Sequence, residues 1–190
     1  MANNCYTTYK IIGDESAMNN LIQSLNDLNN NNTMYIQLSD LAKRFNINTE
    51  KRCISVRGKI YFYELDDNVL TIETETDWVG CHDLFNAINK KLNNKLSISY
   101  REIEPGCNIF NVHDDNAFFT EKYYITYDGD EFDGIDSDYF DDIDDIIDIW
   151  CEKMGIERCN RTAEYMLTLI QNFEYEYADT YFEIHLFNFQ

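Results

Sequence analysis

The stretch that decides the fold reads NVLTIETETDW (68–78), VGCHDLFNAINKKLNNK (79–95) and LSISYREIEPGCNIFNVHDDNAFFTEKYYITY (96–127). The first piece alternates apolar and polar residues, which is typical of a strand with one covered face. The second predicts a helix over Cys81–Leu92, because large apolar side chains recur at helical spacing; these are Leu84, Phe85, Ile88 and Leu92. The third reads as further strands. This order predicts an α+β fold, an antiparallel sheet with helices packed on one face.

The residues before this stretch continue the alternation of strands and helices. CYTTYKII (5–12) is rich in Thr, Tyr and Ile and predicts the first strand. Asp14 is a suitable N-cap for the helix that follows, and the asparagine run Asn29–Asn32 ends that helix. SDLAKRF (39–45) then predicts a short helix capped by Ser39.

The next segment is basic and leads into a hairpin. Six of the fifteen Lys and Arg residues gather here: Lys43, Arg44, Lys51, Arg52, Arg57 and Lys59. A solvated basic face explains them better than a DNA-reading element, because the formal charge of the chain is -20. Residues 33–56 are therefore interpreted as a basic insertion. GKIYFYEL (58–65) pairs with the strand after it across the turn residues 66–68.

Composition bounds the class of protein. Hydrophobic content of 44% and aromatic content of 15% in 190 residues are ample for a packed core. The charge of -20 and the pI near 4.3 repel phosphates and anionic membranes, which disfavours direct nucleic-acid binding. We predict no membrane span and no signal peptide, because no long apolar run exists and MANNCYTTYK lacks the required pattern.

The six cysteines predict a reducing environment. They stand at Cys5, Cys53, Cys81, Cys107, Cys151 and Cys159. None forms a CxxC pair or a zinc-type spacing. Most of them are therefore better interpreted as small apolar side chains buried in the core. A cytoplasmic location is the corresponding expectation.

The C-terminal third is acidic. Positions 128–148 hold eleven Asp and Glu residues and no Lys or Arg. A loop is predicted first and then a helix, since an apolar stripe recurs from Ile143 to Met154. A second helix is predicted over Thr162–Phe173, followed by a terminal strand. We expect residues 128–190 to dock on the core of the first domain through Trp150 and its stripe.

Several short motifs together resemble a known family. Asn3 and Cys5, GDE (13–15), TETDW (74–78) and EPGC (104–107) are similar in order to the YubB ferredoxin-like family, also called Api92-like. That family occurs in plasmid, phage and gut-bacterial genomes and has no established activity. The resemblance implies a ferredoxin-like βαββαβ core with added strands over a domain of residues 1–127, and it transfers no catalytic residue.

The sequence departs from this family at several motif positions. Asn4 replaces the usual Trp, Thr7 replaces an Asn, and Val79-Gly80-Cys81 replaces Ser-Pro-Pro. Any binding by that region of the family is therefore not carried over to this chain. The acidic C-terminal third lies outside the resemblance.

Few residues suggest chemistry. His82 follows Cys81, and adjacent residues do not easily direct both side chains at one atom; His113 and His185 lie in strand-like stretches. The loop carboxylates of Asp128, Asp130 and Asp133 are candidate ligands of a calcium ion, although the EF-hand order fails at Phe132. No catalytic residue and no cofactor is predicted.

A non-enzymatic interaction or accessory protein of unknown partner is the leading hypothesis. A basic protein is the expected partner, and the candidate binding residues are Asp136, Asp138, Asp141, Asp142, Asp144, Asp145 and Asp148. One alternative is an acidic nucleic-acid mimic that inhibits a DNA-binding defence protein. The other is a metal- or thiol-dependent enzyme.

Overall fold

A computed structural model describes residues 3–29 and 34–190 of the chain. It is a mixed α+β protein whose sheets are mostly antiparallel. Contacts divide it into unit 1, Met1–Phe119 with Phe189–Gln190, and unit 2, Thr120–Asn188. Each unit has its own sheet and its own buried apolar cluster.

The elements follow one another along the chain with short connections. The strands are β1 (Asn4–Gly13), β2 (Ile36–Gln37), β3 (Gly58–Asp66), β4 (Val69–Asp77), β5 (Leu96–Glu104), β6 (Ile109–His113), β7 (Tyr123–Asp128), β8 (Tyr139–Phe140), β9 (Tyr181–Leu186) and β10 (Asn188–Phe189). The helices are α1 (Glu15–Asn29), α2 (Leu38–Arg44), α3 (Thr49–Arg52), α4 (His82–Lys91), α5 (Ile143–Met154) and α6 (Ala163–Gln171). Single 3₁₀ turns lie at Pro105–Cys107 and Asp130–Phe132.

Strand β1 lies in the middle of the seven-stranded sheet of unit 1. The strand order is β10-β6-β5-β1-β4-β3-β2, and Tyr9 of β1 lies opposite Ile72 of β4 and Tyr100 of β5. The predicted hairpin of β3 and β4 is confirmed, with Asp67 at a φ of 50° in its turn. At the far edge, the Gln190 N–H donates to the Val112 carbonyl of β6 at 2.9 Å.

The core of unit 1 forms where helices cover one face of this sheet. The stripe of α4 is buried as predicted, with Leu84, Phe85 and Ile88 at most 1% exposed. Asp14 caps α1 as predicted, because its Oδ1 accepts the Ser16 N–H at 3.1 Å. Helix α1 ends at Asn29, and the other three residues of the asparagine run, 30–32, lie outside the described part of the chain.

The predicted cap of α2 is wrong. The helix begins at Leu38 with Gln37 at the N-cap, and no side chain there bonds to the backbone. Leu38 is fully buried, so packing of an apolar side chain sets this start rather than the hydroxyl of Ser39.

Residues 120–127 belong with unit 2. The sequence analysis placed them in a first domain of residues 1–127, but β7 pairs with β8 and β9 in a separate three-stranded sheet. Ile125 of β7 lies opposite Ile184 of β9, and both pack in the second cluster. The division therefore falls after Phe119 and not after Tyr127.

Unit 2 buries its own aromatic core under α5 and α6. Trp150 and Phe132 are fully buried, and the Trp150 Nε1–H donates to the Tyr175 hydroxyl at 3.1 Å. Trp150 was expected to dock on the core of the first domain, but it packs in the cluster formed by unit 2 itself. Asp142 caps the start of α5, and Gly155 ends it with a φ of 63°, a conformation that glycine adopts without strain.

No helix in residues 3–29 and 34–190 combines the length and apolar character needed to cross a membrane.

Replacing Phe85 by Ala tests the core of unit 1. Its ring packs 4.1 Å from the ring of Tyr9 between centroids, so the variant should lose about 3 to 5 kcal/mol of stability. The measurement is hydrogen exchange at the β1 amides, which reports the free energy of opening of unit 1 itself. The matched control is Phe62→Ala, which removes the same atoms from a ring that is 42% exposed and should cost about 1 kcal/mol or less. Equal losses in the two variants would contradict the proposed packing.

Candidate functional site

A polar cluster interrupts the apolar face of the sheet in unit 1. Cys5, Thr7 and Tyr9 alternate on the helix-covered face of β1, and the register places Thr7 opposite Glu102 of β5. Glu102 is only 4% exposed. Buried polar groups of this kind need partners, because burying an unpaired carboxylate costs several kcal/mol.

His82 lies between two tyrosines and this carboxylate. It occupies the first turn of α4, with its ring stacked on Tyr100 at 3.7 Å between centroids. Its Nδ1 and the Tyr9 hydroxyl are 3.1 Å apart and share a hydrogen bond. Its Nε2 lies 3.4 Å from Glu102 Oε2, within ion-pair distance, but the direction does not meet hydrogen-bond geometry. The contact is therefore electrostatic.

Glu102 collects donors from separate elements. Its Oε1 accepts the Gly80 N–H at 2.5 Å and faces the Cys5 thiol at 3.5 Å, and its Oε2 accepts from Asn111 Nδ2 at 3.2 Å. Burial alone would raise the pKa of Glu102, but the contacts with His82, Gly80 and Asn111 outweigh it and lower the pKa to about 2. The carboxylate is thus charged at neutral pH although it is buried.

The buried thiols near the cluster are not nucleophiles at neutral pH. Burial raises the pKa of Cys5 to about 12, and the charge of Glu102 adds to the effect. Burial likewise raises the pKa of Cys81 to about 11. Only a thiolate attacks a substrate efficiently, so neither residue supports the thiol-enzyme alternative.

A small cavity opens beside the cluster. His82, Tyr100, His113 and Asn86 are among the residues that line a space of about 180 Å³. Pockets for organic ligands are typically about 300 to 1,000 Å³, so this cavity is small for a substrate. The arrangement holds a buried charge and a histidine in place, and it offers little room for a reacting molecule.

Three of the four motifs that carry the family resemblance meet at one end of this sheet, and GDE (13–15) lies at the other end of β1. The Trp78 N–H donates to the Asn3 carbonyl at 3.0 Å, and Asn3 Nδ2 donates to the Cys107 thiol at 4.0 Å. Thr76 Oγ1 donates to the Val79 carbonyl at 2.8 Å, and the Glu104 carboxylate accepts the Cys107 N–H. These contacts fix the turns at the ends of β4 and β5.

The histidines predicted as candidates divide between the units. His113 of β6 lies 5.4 Å from the Tyr100 ring between centroids, so Tyr100 connects it to His82. His185 lies in unit 2, where its Nε2 is 2.8 Å from Thr126 Oγ1 and burial lowers its pKa. No sequence motif marked Glu102, Tyr9 or Tyr100 as site residues. The one signal in the sequence was an acidic residue on the apolar face of β5.

The predicted partner-binding residues lie in unit 2. We call them the acidic surface: Asp136, Asp138, Asp141, Asp142, Asp144, Asp145 and Asp148. All are exposed except the half-buried Asp138. Asp142 Oδ1 accepts the Asp144 N–H at 3.0 Å, and Arg158 pairs with Asp144 at 2.6 Å and Asp148 at 3.2 Å.

The calcium hypothesis for Asp128, Asp130 and Asp133 stays a prediction without geometric support. All three residues are exposed. Asp128 Oδ1 accepts the Gly129 N–H at 2.8 Å, and the Asp133 carbonyl accepts from Lys153 Nζ at 2.5 Å. Within the described ranges, no group of three or more His, Cys, Asp or Glu side chains is arranged to hold a metal ion.

The buried charge of Glu102 predicts a dependence of stability on pH. Its pKa falls from 4.5 to about 2, so the stabilisation is present above pH 4.5 and is lost as the pH falls toward 2. The loss should be about 3 kcal/mol, and Glu102→Gln should abolish this pH dependence. Acid titration of stability, read from hydrogen exchange at unit 1 amides, measures it. The exposed control Glu64→Gln should show the same dependence of stability on pH as the parent protein. An unchanged pH profile of stability in Glu102→Gln would refute the assignment of this dependence to Glu102.

Thiol labelling tests the environments of the cysteines. Cys53, Cys107 and Cys159 are exposed, so iodoacetamide should modify them in the folded protein. Cys107 should be the slowest of the three, because its contact with Glu104 raises its pKa. Cys5, Cys81 and Cys151 are buried and should react only after unfolding. Mass spectrometry of the peptides decides, and rapid modification of Cys81 would contradict the buried, protonated state.

Comparison with known proteins finds no match, so inference about function rests on the geometry of the structure. No protein-family model matches the chain. No curated protein and no solved structure matches it either.

Proposed function

We propose that this chain is a non-enzymatic interaction protein whose acidic surface binds a basic partner protein. The observation that carries the proposal is the uneven distribution of charge. Unit 2 holds nineteen acidic and four basic residues, a formal charge of -15 of the total of -20. A field of this strength speeds the encounter with a basic partner and disfavours acidic ones.

The acidic surface is suited to electrostatic recognition. Its carboxylates project from a loop and from the first turns of α5, where the positive end of the helix dipole favours anions. Arg158 offsets two of them, and the net charge of the surface remains negative. Exposed carboxylates of this kind add little to folding stability, so their concentration is better explained by binding.

A nucleic-acid mimic is the sharper form of this proposal. Asp142–Asp148 carries four carboxylates over about 9 Å of helix axis, roughly one every 2 to 3 Å. A DNA duplex presents one phosphate charge per roughly 1.7 Å of axis. The similar spacing supports binding in the groove of a DNA-binding defence protein.

The enzyme alternative has less support. The raised pKa values of Cys5 and Cys81 and the cavity of about 180 Å³ weigh against thiol chemistry in unit 1. The carboxylates of Asp128, Asp130 and Asp133 do not converge with other ligands within the described residues.

We also infer a ferredoxin-like core in unit 1 and membership of the YubB-like family. The antiparallel order β5-β1-β4-β3 with α1 and α4 on one face supports the βαββαβ assignment, and α5 supports an acidic helical extension. The family resemblance connects the chain with mobile genetic elements. The six free cysteines support a cytoplasmic location.

Affinity capture with two charge variants tests the proposed function. The acidic-surface variant changes Asp136, Asp138, Asp141, Asp144, Asp145 and Asp148 to Asn and keeps the cap residue Asp142. The charge-matched variant changes the same number of exposed acids in unit 1 to their amides: Glu15, Glu50, Glu64, Asp66, Asp67 and Asp115. The parent and the charge-matched variant should capture a basic protein from bacterial lysate. The acidic-surface variant should capture at least tenfold less of that protein.

Salt and competitor DNA separate the two forms of the proposal. Capture should fail near 1 M salt, where the screening length is only about 3 Å. Release of the captured protein by duplex DNA would support the mimic, and its retention would support a partner that does not bind DNA. Equal capture by the two charge variants would overturn the proposed function.

A further inference from the structure

One edge of the sheet in unit 2 is open. The strand order is β8-β7-β9, so within residues 3–29 and 34–190 β9 pairs with β7 on one side and with no strand on the other. Such an edge presents a row of backbone donors and acceptors that can pair with another chain.

The pairing identifies which groups face outward. The Ile125 N–H donates to the Asp138 carbonyl at 3.0 Å, away from β9, so the pair of Ile125 with Ile184 is not hydrogen-bonded. The backbone of Ile184 therefore points away from β7, and alternation gives the same direction for Phe182 and Leu186. In agreement, the Phe187 N–H donates inward to the Lys122 carbonyl at 2.9 Å.

A groove with both apolar and polar lining lies beside this edge. Leu167 and Ile170 of α6 and Phe182 and Ile184 of β9 line a space of about 410 Å³, and its polar lining residues are Gln171, Glu183 and His185. Ile170 and Phe182 are 4% exposed, whereas Leu186 at the end of β9 is 66% exposed. The volume falls within the range of about 300 to 1,000 Å³ typical of binding pockets. An exposed strand edge with a pocket for alternate side chains is the arrangement in which an extended peptide adds as a further strand.

The charge around the groove selects the occupant. Among the residues that the structure describes, neither Lys nor Arg lines it, and the Glu183 side chain on the edge strand is 65% exposed. Unit 2 as a whole carries a charge of -15, which attracts a basic segment. A second copy of this chain also has strand edges, but its charge of -20 opposes such pairing.

We propose that the groove between β9 and α6 binds an extended basic segment of a partner protein, which pairs with the outward backbone groups of β9 as an added strand. This inference rests on the proposed binding of a basic partner and locates one contact of that partner. Successive side chains of the segment alternate between the groove and solvent. Apolar residues therefore fill the groove, and Lys or Arg at the intervening positions face the acidic surroundings.

Selection from a display library of random ten-residue peptides against the full chain provides the probe. Enriched peptides should show apolar residues at every second position with Lys or Arg between them. Bound peptide should slow amide exchange at Phe182, Ile184 and Leu186 at least tenfold. The amides of Glu183 and His185 should change little, because the same register directs them toward β7.

Two lysine variants on one helix locate the site. Leu167→Lys places a positive charge in the groove and should weaken binding of the selected peptide at least tenfold. Thr168→Lys adds the same charge at an exposed neighbouring position and should change affinity less than twofold. The selected peptide is also made in two N-methylated forms of equal composition, one methylated at the even positions and one at the odd positions. Only the form that lacks the N–H groups facing β9 should lose binding.

The outcomes separate this inference from the proposed function. Equal peptide binding by the two lysine variants, or an equal loss of binding from both methylated peptides, overturns the groove as the binding site. In that case the proposed function still stands if the acidic-surface variant alone loses capture from lysate. Groove-dependent binding of neutral peptides, with equal lysate capture by both charge variants, overturns the proposed function and the basic occupant together. Dimers without peptide that protect the same amides, or a selection that enriches no groove-dependent peptide, also overturn the proposal.

Discussion

The charged carboxylate of Glu102 is buried inside unit 1, and the polar end of that unit is organised to hold it. Gly80 reaches it from the turn before α4, Asn111 from β6 and Cys5 from β1, while His82 supplies the electrostatic contact. A partner missing from such a set would cost several kcal/mol. The identity of these residues is therefore constrained by stability even where no substrate is bound.

The two units divide the physical tasks of the chain. In unit 1, a central strand places an apolar core and a polar cluster on the same face. Unit 2 has its own aromatic core and carries most of the net charge at its surface. Charges held at the surface keep most of their hydration, so they create a long-range field at small cost to folding. An interaction role fits this division.

Local patterns in the sequence predict some features and not others. The buried stripe of α4 and the hairpin of β3 and β4 follow from spacing and turn residues that act over a few positions. The strands that pair with β7 could not be predicted. Alternation of apolar and polar residues shows that a strand has one buried and one exposed face, but it does not identify the neighbouring strand. Glu102 was missed for a related reason, since its donors converge from distant positions.

The last strand of unit 1 is separated from the rest of that unit by the whole of unit 2. Between β6 and β10 lie about seventy residues, which a ribosome adds at about 5 to 20 per second. During synthesis, β6 thus remains an uncovered edge for several seconds, until Phe189 and Gln190 emerge and pair with it. The order of the chain therefore delays the closing of the first sheet until unit 2 has been synthesised and has had time to form.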